Sequence, residues 1–215
     1  YAGDLYGNVW RFDLTSKSTA KWSVEKLFTA EAPGGGVQPI TMGPKVGVHP
    51  YGRNYGVMVY VGTGKYLEDT DALFNEDVRN SFYGVWDSNV FSVTPTSNWT
   101  PSDNKNLTRR NLQVQTITEV SAGDENEKKA YRVLSENEVT YKTTDDGTGV
   151  YGWYMDMPPR SGELLITTPT LYGDFVFFNT LIPPRETCDL STSGAIMAVR
   201  ADTGGRTDQA LLDLN

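Results

Sequence analysis

The segment YAGDLYGNVWRFDL, residues 1–14, has the pattern of a β-hairpin. Tyr1 to Leu5 and Asn8 to Leu14 are predicted to be two short strands, and the Tyr-Gly-Asn between them tolerates the positive φ of a tight turn. The second strand alternates a strongly apolar face with a mostly polar one, formed by Trp10, Phe12 and Leu14 and by Val9, Arg11 and Asp13. This alternation is typical of a half-buried strand, so the Trp10 face is expected to pack between sheets. A lone hairpin is marginal in water, so we expect pairing partners on both sides, one of them upstream of Tyr1.

Similar strand-turn-strand segments recur along the chain. They are QPITMGPKVGVHP (38–50) with YGVMVYVGTGKYL (55–67), SFYGVWDSNVFSV (81–93), PTLYGDFVFFNT (169–180) and GAIMAVRADTGGR (194–206). Strand, turn, apolar strand and glycine turn in this order are typical of a propeller blade. We therefore predict an all-β fold, a β-propeller with quinoprotein-like blades of four antiparallel strands. Roughly three blades would leave large apolar faces exposed, so we expect about half of a larger, modified propeller.

The region between these segments is more polar. Residues 95–129 are predicted to be a polar insertion or rim loop, and loops of this kind are where binding specificity is commonly built. Within it, Leu107 to Thr118 fits neither helical nor strand periodicity cleanly, although its threonine and valine content favours a strand. Trp99 lies in the polar loop and is the one tryptophan predicted to be an exposed contact residue; the others are expected to pack in the sheets.

Composition excludes several classes of function. The net charge is −8 and the basic residues are scattered, which argues against a nucleic-acid partner, because binding the phosphate backbone requires clustered Lys and Arg. No run of about 18 apolar residues exists, so no membrane span is predicted.

The single histidine and the single cysteine leave few catalytic options. His49 precedes a proline, which holds it extended, and the chain has no G-x-S-x-G nucleophile elbow, so no catalytic residues are predicted. Cys188 lies in the polar, proline-flanked PPRETCDLSTSG segment. It is either a free thiol or the partner of a cysteine outside this chain.

One acidic segment, DTDALFNED, resembles a calcium loop in part. Asp69, Asp71, Asn75 and Asp77 occupy relative positions 1, 3, 7 and 9, where such a loop places oxygen ligands. Leu73 occupies position 5, however, and Phe74 stands where the loop needs glycine. Two interpretations remain open, a weak in-chain metal site and a solvated acidic loop, and the mismatch favours the second.

The order of the motifs resembles the C-terminal β-propeller of the PilC/PilY family of type IV pilus biogenesis factors and tip adhesins. The resemblance rests on YAGDLYGNVWRFDL, VMVYVGTGKYLE, SFYGVWD, GWYMDMP, TTPTLYGDFVFFNTLIPP and GAIMAVRADTGGR, and covers most of residues 1–215 except Pro95 to Lys129. It implies that residues 1–215 form part of one C-terminal propeller domain. The family usually has Arg after the Gly-Glu pair, where this chain has Leu164, so any contact of that Arg is in doubt.

The resemblance also implies a function and a location. It implies a non-enzymatic protein exported through the periplasm to the outer membrane or cell surface and to the extracellular pilus tip. There it would support pilus extension, twitching, virulence and adhesion. The implied partners are minor pilins, a host or abiotic surface and the remainder of the same polypeptide. The implied cofactor is calcium, held by an EF-hand-like loop expected just upstream of Tyr1, with Asp4 the residue of this chain nearest to it.

Two other classes share the blade pattern. One is the pyrroloquinoline-quinone-dependent dehydrogenases, although we find no matching Glu-Asn-Asp set or vicinal cysteine pair. The other is the outer-membrane assembly scaffold propellers, whose repeats are expected to be more regular.

Overall fold

A computed structural model describes residues 1–89, 105–122, 129–142, 148–186 and 191–208. In these ranges the chain forms strands and four short 3₁₀ turns but no α-helix, which confirms the predicted all-β class. The 3₁₀ turns are Thr19–Lys21, Arg53–Tyr55, Asp69–Ala72 and Arg109–Asn111. No helix in the described ranges has the length and apolar character needed to cross a membrane. Trp99 and Cys188 lie outside the described residues.

The first sheet contains the predicted hairpin. Its strands, in spatial order, are β1 (Ala2–Gly3), β2 (Asn8–Asp13), β3 (Ser23–Thr29) and β7 (Leu107–Thr108). The β1–β2 and β2–β3 pairs are antiparallel, whereas β7 adds in parallel to β3.

The second sheet is the centre of the molecule. It contains, in spatial order, β4 (Lys45–Val48), β5 (Val57–Gly62), β6 (Ser81–Asp87), β11 (Gly152–Asp156) and β8 (Gln113–Gln115). Every residue of β5 and β6 is buried, because alternate side chains enter two different cores. Met58 and Tyr60 enter one, Val59 and Val61 the other. A strand buried on both faces needs a nearly continuous apolar run, as VMVYVG is.

Two smaller sheets complete the described structure. The third contains β12 (Thr170–Tyr172), β13 (Phe175–Asn179) and β14 (Ile196–Arg200), and the fourth pairs β9 (Ile117–Ala122) with β10 (Lys129–Leu134). The ring of Phe178 stacks on that of Phe82 at a centroid distance of 3.9 Å and ties the third sheet to the second. The sheets have four, five, three and two strands, and so depart from uniform blades of four antiparallel strands.

The region predicted to be an insertion at 95–129 is partly built into these sheets. Its β7 and β8 extend the first and second sheets, and the ambiguous segment from Leu107 to Thr118 is largely strand, as its composition favours. Both strands pair in parallel, a geometry that requires a long connection and therefore leaves no hairpin signal in the sequence.

The prediction that the Trp10 face of β2 is the buried one is wrong. Val9 is fully buried, whereas Phe12 and Leu14 are 47% and 56% exposed and Trp10 is half-buried. The reason is Arg11, whose guanidinium bonds to Asp87 of β6, 2.8 Å away, and to Glu25 of β3. An ion pair has turned the nominally polar face inward, and a bulge at Val9/Trp10 shifts the register against β3.

The hairpin turn provides a test of backbone conformation. Gly7 has a φ of +79°, and a Cβ there would lie 2.8 Å from the carbonyl oxygens of Ala30 and Gln38. Gly7→Ala is expected to lower the free energy of unfolding by about 2–4 kcal/mol, because the close contact adds to the left-handed strain. Gly34→Ala is the matched control, with a φ of +88° and no atom within 4 Å of its Cβ, and should lose about 1–2 kcal/mol from the left-handed strain alone. Urea unfolding followed by tryptophan fluorescence measures both, and equal losses would contradict the close-contact argument.

Candidate functional site

A cavity of about 320 Å³ opens where loops of the first three sheets meet. Its walls come from the β3–β4 connection, the β5–β6 connection and the segments around residues 162–164 and 183. The sequence segments involved are far apart, so no single motif marks this site.

Two buried amides of the cavity lining, Gln38 and Asn80, are hydrogen-bonded within the fold, and we call them the floor of the cavity. Gln38 Nε2 donates to the carbonyl oxygen of Arg79 at 2.7 Å and to Ser81 Oγ at 2.8 Å, and its Oε1 accepts from the hydroxyl of Tyr83. Asn80 Nδ2 donates to the carbonyl oxygen of Glu163 at 2.7 Å, and its Oδ1 accepts from the Thr63 hydroxyl. The floor is therefore a rigid platform whose polar atoms have partners within the fold.

The structure brings three of the four in-chain calcium candidates to this cavity. Asp71, Asn75 and Asp77 line it, while Asp69 begins the 3₁₀ turn and does not. In the ranges that the structure describes, no group of three or more His, Cys, Asp or Glu side chains is arranged to hold a metal ion.

The two central candidates are committed to the loop itself. Asp71 Oδ2 accepts from the backbone N–H groups of Leu67 and Glu68 at 2.9 and 3.0 Å, and its Oδ1 lies 3.4 Å from Lys65 Nζ. Burial acts to raise the pKa of the Asp71 carboxyl. The two backbone N–H donors and Lys65 outweigh it and hold that pKa below its ordinary value. Asn75 Oδ1 accepts from the N–H of Asp77 at 3.0 Å. These residues do not fit a calcium loop, and the loop expected upstream of Tyr1 stays a prediction.

Asp4, expected to lie nearest that loop, is engaged in the hairpin turn. Its Oδ1 accepts from the backbone N–H groups of Tyr6 and Asn8, both at 2.9 Å, and its Oδ2 accepts from Trp10 Nε1 at 2.8 Å. Despite opposing desolvation, these donors lower the pKa of the Asp4 carboxyl. Asp4 therefore has a complete structural role in shaping the turn.

The cavity also contains a guanidinium with unused donors. Arg79 Nε donates to the carbonyl oxygen of Met157 at 3.4 Å. Among the described residues no acceptor or ion-pair partner meets its terminal nitrogens. Apolar side chains rim the opening around it, with Val37, Leu73 and Val78 all exposed.

Phe74 fixes the position of the acidic wall, by which we mean the side of the cavity that carries Asp71, Asn75 and Asp77. The N–H of Phe74 donates to the carbonyl oxygen of Pro184 at 2.9 Å, and the guanidinium of Arg185 lies 4.0 Å from its ring centroid. Gly162 lets the ring approach closely, since a Cβ there would lie 2.7 Å from it. Phe74, the residue that does not match a calcium loop, therefore anchors this wall. Leu164, which stands where the family usually has Arg, is a buried residue of the cavity lining.

Three arginine-carboxylate pairs join distant parts of the chain. They are Arg11–Asp87, Arg109–Asp156 and Arg132–Glu163. The side chains of Asp87 and Glu163 are fully buried. Tyr1 adds a hydroxyl donor to Asp87 at 2.8 Å, and burial, followed by the charge of Asp87, raises the pKa of that phenol. Sequence reasoning missed these pairs, because nothing local marks partners 76, 47 and 31 residues apart.

His49 is buried in an aromatic cluster and has no acidic partner among the described residues. Its Nδ1 accepts from the N–H of Tyr51 at 3.2 Å, while its Nε2 is buried without a hydrogen-bond partner. The rings of Tyr51, Tyr55, Trp86 and Tyr141 surround it at centroid distances of 4.4–5.8 Å. Burial lowers the pKa of His49 to about 4. This environment suits a packed neutral imidazole rather than a general base.

Comparison with known proteins supports the propeller interpretation. The sequence profile described as the PilY1 beta-propeller domain matches residues 1–125. A crystal structure of the Pseudomonas aeruginosa PilY1 C-terminal domain superposes with a TM-score of 0.77 at 30% identity, covering 96% of this chain and 44% of that one. These matches confirm the predicted all-β propeller fold.

Curated relatives of the whole chain are also known. The chain is 31% identical over 238 residues to the type IV pilus biogenesis factor PilY1 of Pseudomonas aeruginosa, covering 100% of the chain and 20% of that protein. It is 34% identical over 221 residues to a PilY1 homolog of Xylella fastidiosa, covering 100% of the chain and 15% of that protein. The chain thus spans a fifth or less of the length of these two relatives.

Proposed function

The chain belongs to the family of PilY1 β-propeller domains, and from this membership we propose that it is a non-catalytic part of a type IV pilus biogenesis factor. The observation that carries the proposal is the full-chain similarity to proteins named for that role, at 31% identity. The buried imidazole of His49 supports the non-catalytic part, because the only histidine of the chain is packed away from solvent. The observed similarities favour neither the quinoprotein nor the assembly-scaffold alternative.

The finer proposal is that this segment is a rigid display body at the pilus tip. Its proposed partners are minor pilins, a host or abiotic surface and the remainder of the same polypeptide, and its proposed location is extracellular. Two cores that share β5 and β6, and ion pairs between distant strands, support the rigidity. Adhesion, twitching and calcium control belong to this proposal, with calcium held upstream of Tyr1 as the family resemblance implies.

Deleting the region that encodes this chain, in a bacterium that carries the gene, is the direct test. We expect loss of surface pili on electron micrographs, with twitching zones and surface attachment reduced by about tenfold or more. The reason is that an incomplete propeller exposes apolar sheet faces and cannot present its loops. Complementation with the intact gene is the control. Normal piliation, twitching and attachment in the deletion strain would contradict the proposal.

Deleting residues 95–129 would not isolate the role of this region in adhesion, because the deletion would also disturb the fold. It would remove β7 and β8 from two sheets, together with Arg109, which pairs with Asp156 at 2.7 Å. Trp99 remains the sequence-based candidate for a contact residue.

A further inference from the structure

We propose that the cavity around Arg79 binds an acidic side chain of an extended peptide segment, with apolar residues of that segment on the rim. The proposal goes beyond pilus biogenesis, since it assigns a ligand class to a specific site. It can fail separately from the proposed role in pilus biogenesis, because peptide binding is measured in solution without pili.

The first argument is the state of the guanidinium. Arg79 is half-buried, and among the described residues the only hydrogen bond of its side chain is the 3.4 Å contact from Nε to the carbonyl oxygen of Met157. A guanidinium carries five donors in a fixed fork, so its terminal N–H groups are available to a carboxylate in bidentate geometry. His49 Nε2 is the one buried side-chain nitrogen or oxygen without a partner among the described residues, so the Arg79 nitrogens are open to an incoming acceptor, and a carboxylate is the acceptor that fits a guanidinium best.

The second argument is that the neighbouring polar groups leave Arg79 as the available cation. Lys65, the other cation in the lining, lies 3.1 Å from Glu68 and 3.4 Å from Asp71. The floor amides of Gln38 and Asn80 are hydrogen-bonded within the fold through both their nitrogen and their oxygen. A bound carboxylate therefore meets Arg79 rather than a competing protein donor.

The third argument is the shape and chemistry of the opening. The cavity of about 320 Å³ holds an acidic side chain with part of its backbone, and its rim has exposed Val37, Leu73 and Val78. Val37 is 60% exposed, more than its apolar side chain would be under a bound apolar residue. The pattern of a central charge within an apolar rim matches an acidic residue flanked by apolar ones.

Asp77 tunes the affinity of the site. Its carboxylate lines the same cavity, two positions from Arg79, and repels a second carboxylate there. This predicts weak binding in the native protein and tighter binding when that charge is removed.

The test uses the intact protein and a fluorescein-labelled heptapeptide with blocked ends, which has one aspartate between leucine and valine. The comparison peptide carries asparagine in place of aspartate. Fluorescence anisotropy should show saturable binding of the first peptide and at least about tenfold weaker binding of the second, because a carboxylate bonds a guanidinium more strongly than an amide does. The Asp peptide should also bind less tightly at high salt.

Three variants and one control locate the binding. Arg79→Gln should weaken the affinity for the Asp peptide about tenfold, and Arg79→Lys should weaken it by a smaller factor. Asp77→Asn should raise that affinity about two- to threefold. Arg110→Gln, which removes the same charge at an exposed position outside the lining, should leave binding unchanged. Equal affinity for the Asp and Asn peptides, absence of saturable binding, or unchanged binding by a folded Arg79→Gln protein would overturn the proposal. The two-peptide comparison on the native protein holds even if a variant fails to fold.

Discussion

Arg132→Met is expected to lower the free energy of unfolding by about 3–5 kcal/mol, because it leaves a buried carboxylate without its counter-charge. Glu163 is fully buried and receives both terminal nitrogens of Arg132, one at 2.8 Å to Oε2 and the other to Oε1. The pair joins β10 to the segment that precedes the third sheet. Urea unfolding followed by tryptophan fluorescence measures the loss.

Two controls distinguish the buried pair Arg132–Glu163 from the exposed pair Arg132–Glu119. Glu119 also pairs with Arg132, at 3.0 Å, but is 58% exposed, so Glu119→Gln should cost less than about 1 kcal/mol. The double replacement of Arg132 and Glu163 by Met should recover much of the loss, because it removes the unpaired charge along with its partner. A single Arg132→Met variant as stable as the native protein would contradict the burial argument.

Acidification from pH 7.5 to pH 5.0 is expected to lower the free energy of unfolding by about 2 kcal/mol through His49 alone, rising to about 3 kcal/mol at pH 4. Burial lowers the pKa of His49 to about 4 in the folded chain, whereas the imidazole of the unfolded chain titrates near its ordinary value of 6.5. Between these values the unfolded state binds more protons. The stability that His49 contributes is therefore complete above about pH 6.5 and is lost as pH falls toward 4.

The matched variant is His49→Asn, which retains an acceptor for the N–H of Tyr51 and cannot take up a proton in this range. Burial raises the pKa of the neighbouring Tyr141 phenol above its ordinary value, so this group does not take part in the acid response. Urea unfolding at the two pH values should show the native protein losing about 2 kcal/mol more than the variant. Identical pH dependence in the two proteins would rule out His49 as the source.

Local patterns predicted the elements that depend on local chemistry. The apolar run at β5, the hairpin at β1–β2 and the positive φ of Gly7 follow from residue type and spacing. The buried face of β2 did not, because Arg11 reaches a carboxylate 76 residues away, and no alternation within RFD reveals that partner.

The candidate site depended still more on long-range structure. The calcium pattern drew attention to the segment from Asp69 to Asp77, in which the structure uses Asp71 as a cap and Phe74 as an anchor. Arg79 has no motif around it. Its interest arises from Gln38, Asn80 and Pro183, which the fold brings to the same cavity.

The parallel pairings of β7 and β8 constrain the order in which a nascent chain can fold. Phe28 pairs with Leu107, and Gln113 pairs with Trp153, so the first sheet lacks its last strand until residue 108 has emerged and the second until residue 156 has. Contacts of such high contact order form late, because long loops must close before the pairing stabilises them. During synthesis the outer edge of β3 therefore stays unpaired until β7 has emerged, and an unpaired edge of this kind is open to pairing with other chains.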